Sequence, residues 1–231
     1  MNPPVDAVIF DFDGVIVDSE PIHFRGFQQV SLQFDIELSE RDYYSNLIGY
    51  DDLGAWRKIF RLYRRESELD ESRLQKLLAA KTRIVDKIIA SGDFAALPGV
   101  VQLLDRLRDR NIVCAICSGA LRHEIELMLD GLKLRDRFAI ITAAQDVDVG
   151  KPDPRGYVLT ARRLSETMHA PLPNERCLVI EDAPSVAQRA QETGFHVLGV
   201  TSSLPRNAWP ESIRTVDSLE CENLLRNGFE L

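Results

Sequence analysis

The sequence predicts an α/β protein: a core built on a parallel sheet, interrupted by an all-helical insert. Short, nearly continuous apolar runs recur at residues 8–10, 112–117, 177–180 and 197–200. Such runs read as strands buried on both faces, as in parallel sheets covered by helices. Helical spacing alternates with them, which gives the β-α-β order of that class. Between residues 21 and about 95, by contrast, no convincing strand occurs. This shift places a helical domain at 21–95, inside a core made of 1–20 and 96–231.

The first strand, Val8-Ile9-Phe10, breaks into Asp11-Phe12-Asp13-Gly14. Burying an unpaired carboxylate is costly, and two close ones repel. A buried strand carries Asp11 and Asp13 where its end opens into a site, and a cation between them relieves both penalties. Gly14 then allows a tight turn. The alternative is a surface turn, because Asp-Gly is also a hairpin signal.

Pro21 suits the first turn of a helix, with Ser19 as its cap. Ile22, Phe27, Val30 and Phe34 follow approximate helical spacing. After Ser39-Glu40 comes more helix, interrupted at Gly49. A helix over 55–65 carries Trp56, Ile59, Phe60 and Tyr63, and a longer one spans 70–91. The apolar face of the longer helix runs Leu74, Leu77, Leu78, then Ile84, Val85, Ile88 and Ile89, with Lys81 in an apolar slot. Spacing alone leaves two readings for Lys81: a functional cation, or a side chain that snorkels to the rim.

Leu97-Pro98-Gly99-Val100 is a breaker before a helix at 101–110. The strand at 112–117 leads into Ser118-Gly119-Ala120 and a helix through Leu129. A short strand at 139–142 precedes the polar loop 147–154, which contains Lys151-Pro152. A helix at 155–165, the strand at 177–180 ending at Glu181-Asp182, a helix at 185–193 and the strand at 197–200 complete the alternation. Gly194 is a good helix stop. The tail carries weak signals, with an edge strand near Thr215-Val216.

The 231 residues carry a net charge of −8, which argues against non-specific nucleic-acid or membrane binding. No apolar run reaches membrane-span length, and the polar start Met1-Asn2-Pro3-Pro4 carries no signal-peptide pattern. The expectation is a cytoplasmic monomer with a small-molecule partner. Cys114, Cys117, Cys177 and Cys221 are expected to be reduced. Cys114 and Cys117 have the spacing of a redox or zinc pair, but they sit three apart on a strand and face opposite sides.

In doubly wound sheets, ligands bind beyond the carboxyl ends of the strands. Asp11 and Asp13, Ser118, and Glu181-Asp182 each follow a strand, and the Lys151 loop can reach that edge. Carboxylates without histidine or thiolate favour Mg²⁺. A Mg²⁺ ion, a lysine and a hydroxyl together suit a phosphoryl group. One aspartate can act as nucleophile, and a second carboxyl two residues on as acid and base. Taken singly, each residue has a bland alternative: Ser118 as a helix cap, Lys151 as a solvated loop residue, Glu181-Asp182 as acids at a helix N-terminus.

These residues resemble the four motifs of the haloacid dehalogenase-like phosphohydrolases, which lie in the same order at strand ends of a Rossmann-like sheet. Asp11-Phe12-Asp13-Gly14, Ser118, Lys151-Pro152 and Glu181-Asp182 are similar to motifs one to four, and 11–20 resembles the β-phosphoglucomutase-like, CbbY-like branch. The resemblance implies Asp11 as nucleophile and Mg²⁺ ligand. It implies Asp13 as acid/base that also offers its carbonyl to the metal, Ser118 and Lys151 as phosphate binders, and Asp182 with Glu181 on the metal. It also implies a helical cap that closes over the substrate, with His23, Gly49 and Lys81 on the substrate side.

The chain departs from that branch at three places. Asp52 stands where the mutases place an arginine for a second phosphate, and an acid there repels phosphate. Gly119 replaces the usual Asn after motif two, and Ala183 replaces a glycine after motif four. The expected function is a Mg²⁺-dependent phosphatase for a small organophosphate, with a sugar phosphate as candidate, acting through an aspartyl-phosphate. A phosphosugar mutase and a catalytically silent phosphate-binding regulator are the alternatives.

Overall fold

A computed structural model of the chain describes residues 5–47, 50 and 52–226. The chain divides into two compact units, one of Ser19–Asp93 and the other of the residues before and after that segment.

The second unit is α/β. Its strands are β1 (Ala7–Phe10), β2 (Val113–Cys117), β3 (Ile140–Thr142), β4 (Cys177–Glu181), β5 (His196–Val200) and β6 (Arg214–Val216). They form one six-stranded sheet in the order β3-β2-β1-β4-β5-β6, parallel at every pairing. β1 is central, with Phe10 level with Ile116 of β2 and Ile180 of β4. The carboxyl ends therefore share one edge. Every residue of β1 is fully buried, which explains its unbroken apolar run.

One sheet face, with Ala7, Ile9, Ala115, Cys117 and Val179, packs on two helices. These are α7 (Arg155–Met168), through Tyr157, Ala161 and Leu164, and α8 (Pro184–Glu192), through Val186, Ala187 and Ala190. The helix α5 (Val100–Asp109) packs on β2 and buries Val100, Leu103, Leu104 and Leu107. Gly99, which precedes it, has φ +88°, and a Cβ there would lie 2.1 Å from the Glu220 backbone nitrogen. The helix α6 (Arg122–Leu132) begins four residues after Ser118, not at it. Ser118 Oγ accepts the Ala120 N–H at 2.9 Å, so the hydroxyl closes a turn instead of capping a helix. The last helix among the described residues is α9 (Cys221–Arg226).

The other unit contains α1 (Glu20–Leu32), α2 (Glu40–Asn46), α3 (Asp52–Leu62) and α4 (Glu71–Ala90). Its core holds Phe27, Val30, Tyr43, Trp56, Ile59, Phe60, Leu74 and Leu77, with Phe27 edge-on to Trp56 at 5.0 Å. Ser19 occupies the N-cap of α1 without a side-chain capping bond. Asp70 caps α4 by accepting the Arg73 N–H at 2.7 Å. The helix expected at 55–65 starts and ends earlier: Arg64 adopts φ +57°, and Arg65 N–H returns to the Phe60 carbonyl at 2.8 Å. This is a left-handed helix stop.

The cysteines are free thiols. Burial pushes Cys114 up to about 12 and Cys117 up to about 11, which keeps them protonated and poor ligands. Among the described residues, no helix is long and apolar enough to cross a membrane.

Candidate active site

Asp11 follows directly on β1, and its N–H continues the ladder to the Ile180 carbonyl at 2.8 Å. Glu181 is the last residue of β4, so the register sets it level with Asp11, and Asp182 follows. All three are buried, and their ligand atoms lie within 4.8 Å of one another. Ser118 follows β2, and its N–H donates to the Thr142 carbonyl at 2.9 Å. Asp13 is half-buried, three residues past β1.

Lys151 comes from the loop between β3 and α7, where Lys151–Pro152 is a cis peptide bond. Its Nζ donates to Asp11 Oδ1 at 2.6 Å, to Glu181 Oε1 at 2.7 Å and to Tyr157 Oη at 3.1 Å. Glu181 is fully buried; its Oε2 accepts the Ala183 N–H at 2.9 Å. Asp182 Oδ2 accepts from Ser203 Oγ. Gly14, at φ +73°, passes so near Asp182 that a Cβ would lie 2.0 Å from Oδ2.

Charge dominates the electrostatics. Burial, then repulsion from Glu181, holds Asp11 well above the usual carboxylate range despite Lys151. Burial and Glu181 push Asp182 up to about 6. Burial works against the Lys151 ammonium, but Asp11 and Glu181 outweigh it and raise its pKa. Three clustered carboxylates against one ammonium leave an excess of negative charge that burial makes expensive. Every donor in the set is oxygen, which fits a hard divalent cation such as Mg²⁺ and not zinc.

Two further predicted residues lie in the helical unit. Lys81 is 1% exposed, so it does not snorkel. Its Nζ donates to His23 Nδ1 at 2.8 Å and Asp52 Oδ1 at 2.6 Å, and stands 4.9 Å from the Phe27 ring centroid. Burial, then the Lys81 charge, pushes His23 down to about 3. Gly49 lies outside the described residues. Gly119 has open space where a Cβ would stand.

Sequence reasoning missed Tyr157, Ser203 and the Asp52 contact. Tyr157 lies six residues past Lys151 on an apolar helix face and reads as core. Ser203 lies in a weakly patterned segment, and only tertiary proximity reveals it.

Fold and site together define a hydrolase built on carboxylates at the edge of a parallel sheet. A family model for haloacid dehalogenase-like hydrolases matches residues 5–194, and the chain belongs to that family. It is 25% identical to the phosphorylated carbohydrates phosphatase of Thermotoga maritima, over 87% of this chain and 87% of that protein. It is 28% identical to the β-phosphoglucomutase of Bacillus subtilis, over 97% of this chain and 95% of that one. Among solved structures, CbbY from Rhodobacter sphaeroides in complex with phosphate matches with a TM-score of 0.77 at 21% identity, over 94% of this chain and 96% of that one.

Proposed function

We propose that the protein is a Mg²⁺-dependent phosphatase that hydrolyses a small organophosphate, with phosphorylated carbohydrates the favoured class. The observation that carries this reading is the Lys151 bridge between Asp11 and Glu181, within the buried Asp11–Glu181–Asp182 cluster. The similarity to a carbohydrate-phosphate phosphatase supports the class of substrate.

Asp11 attacks the phosphorus, and the ester oxygen leaves with a proton from Asp13. Asp13 then takes a proton from water, which attacks the aspartyl-phosphate, releases inorganic phosphate and restores Asp11. Lys151 fixes Asp11 Oδ1 and so sets where Oδ2 points. Ser118 binds a phosphoryl oxygen, and the Lys151 ammonium, its protons held by Asp11, Glu181 and Tyr157, supplies positive charge beside the phosphoryl group. Asp11, the Asp13 carbonyl, Glu181 and Asp182 would hold Mg²⁺, which neutralises the carboxylates and the phosphoryl charge when bound. His23, Lys81 and the Gly49 segment are the substrate-selecting residues of the helical unit.

The Lys81–Asp52 pair favours hydrolase over mutase, since a mutase must hold a second phosphate and Asp52 already consumes the lysine charge. The test is phosphate release from a panel of esters, including β-glucose 1-phosphate and an aryl phosphate, with and without Mg²⁺. Mg²⁺-dependent release is expected. Conversion of β-glucose 1-phosphate to the 6-phosphate without release would establish the mutase instead, and neither product would leave only a phosphate-binding role.

A further inference from the structure

Tyr157 is fully buried on α7, beneath the Lys151 ammonium. Its ring meets Phe195 edge-on at 6.2 Å and lies 5.0 Å from Lys151 Nζ. A phenylalanine would keep both contacts. The hydroxyl adds two polar ones, donating to Glu181 Oε1 at 2.9 Å and accepting from Lys151 Nζ at 3.1 Å.

Counting donors and lone pairs shows what that hydroxyl does. The three protons of Lys151 meet Asp11 Oδ1, Glu181 Oε1 and Tyr157 Oη. Glu181 Oε1 has two lone pairs, engaged by Lys151 and by Tyr157. Oε2 accepts the Ala183 N–H, which leaves a single open acceptor site on that carboxylate. We propose that Tyr157 is a positioning residue: its hydroxyl locks the Lys151–Glu181 bridge, so that Glu181 offers only Oε2 to a divalent cation or to water bound on it. Without the hydroxyl, Oε1 regains a lone pair, Lys151 loses a partner, and the carboxylate is free to rotate. Groups that orient ligands in this way govern metal affinity and rate. The inference rests on the metal-dependent reading above.

The test compares wild type, Tyr157→Phe, Glu181→Gln and the double variant. Mg²⁺ affinity is read by calorimetry without substrate, and kcat and KM on the best ester of the panel. Tyr157→Phe is expected to weaken Mg²⁺ binding about 10-fold and to lower kcat by ~10–100-fold, with KM little changed. In the Glu181→Gln background the same change should add almost nothing, because Tyr157 acts through Glu181. Unchanged Mg²⁺ affinity and kcat, or losses that simply add, would overturn the proposal. The calorimetric arm decides even if no ester is hydrolysed, so failure of the phosphatase reading is a separate result. Should Tyr157→Phe not fold, the wild type still serves. The shielded Tyr157 hydroxyl proton should appear as a slowly exchanging downfield resonance that moves on addition of Mg²⁺, and a resonance indifferent to Mg²⁺ would overturn the proposal.

Discussion

Lys81 Nζ lies 2.6 Å from Asp52 Oδ1, with the lysine buried and the aspartate side chain 38% exposed. The pair is therefore asymmetric. Asp52→Asn leaves an ammonium buried against His23 and Phe27, whereas Lys81→Met keeps the stem volume and leaves an acid that water can reach. Removing one partner of a buried pair costs ~3–5 kcal/mol, and the partial exposure of Asp52 lowers that to about 2–3 kcal/mol here. Lys81→Met should cost under ~1.5 kcal/mol. Urea unfolding of the two variants checks the order, and a larger loss for Lys81→Met would contradict it.

His23 gives the helical unit a pH dependence of known sign. Its folded pKa is depressed to about 3, by burial and then by Lys81. An unfolded histidine titrates near ~6.5. As pH falls below that value, the unfolded chain takes up a proton that the folded chain refuses, so stability is lost on acidification and is fully present above it. The slope is about 1.4 kcal/mol per pH unit at most. Subtracting His23→Gln from wild type in unfolding experiments between pH 7 and 4 should isolate it from the carboxylates.

Asp11→Asn separates chemistry from fold. On the proposed mechanism it should abolish turnover, because Asp11 is the group that forms the phosphoenzyme. It should not lower the metal-free melting temperature, since it removes one of three mutually repelling buried carboxylates. Lys151 keeps Glu181 and Tyr157. Mg²⁺ should raise the wild-type melting temperature, as any ligand of the folded state does, and raise that of the variant less. Full activity in Asp11→Asn would refute the nucleophile assignment.

The parallel α/β core was legible because β1, β2 and β4 are buried on both faces, and burial on both faces writes an unbroken apolar run. Asp11 and Glu181 stood out because each interrupts such a run at its carboxyl end. Lys151 could be placed only by its loop, and its three partners come from β1, β4 and α7. Tyr157 was illegible because one hydroxyl on a core-facing ring leaves no mark in the pattern. Lys81 stayed ambiguous because its burial depends on Asp52 and His23, 29 and 58 residues away. The end of α3 escaped because the apolar spacing runs on to Tyr63, while the left-handed turn at Arg64 stops the helix.

Gly14 faces two demands at once. Its φ of +73° lies in the left-handed region, where a side chain costs ~1–2 kcal/mol. A Cβ would also stand 2.0 Å from Asp182 Oδ2 and 2.9 Å from Ser203 Oγ, so Asp182 must move and its contact with Ser203 must break. Gly14→Ala should therefore destabilise the fold by about 2 kcal/mol or more and weaken Mg²⁺ binding. Gly119→Ala meets nothing within 4 Å and should leave the melting temperature unchanged. Paired melting curves and Mg²⁺ titrations of the two variants test this. Equal behaviour would mean that the backbone at 14 relaxes freely, and that Asp182 is not held by the close approach of the motif-one turn.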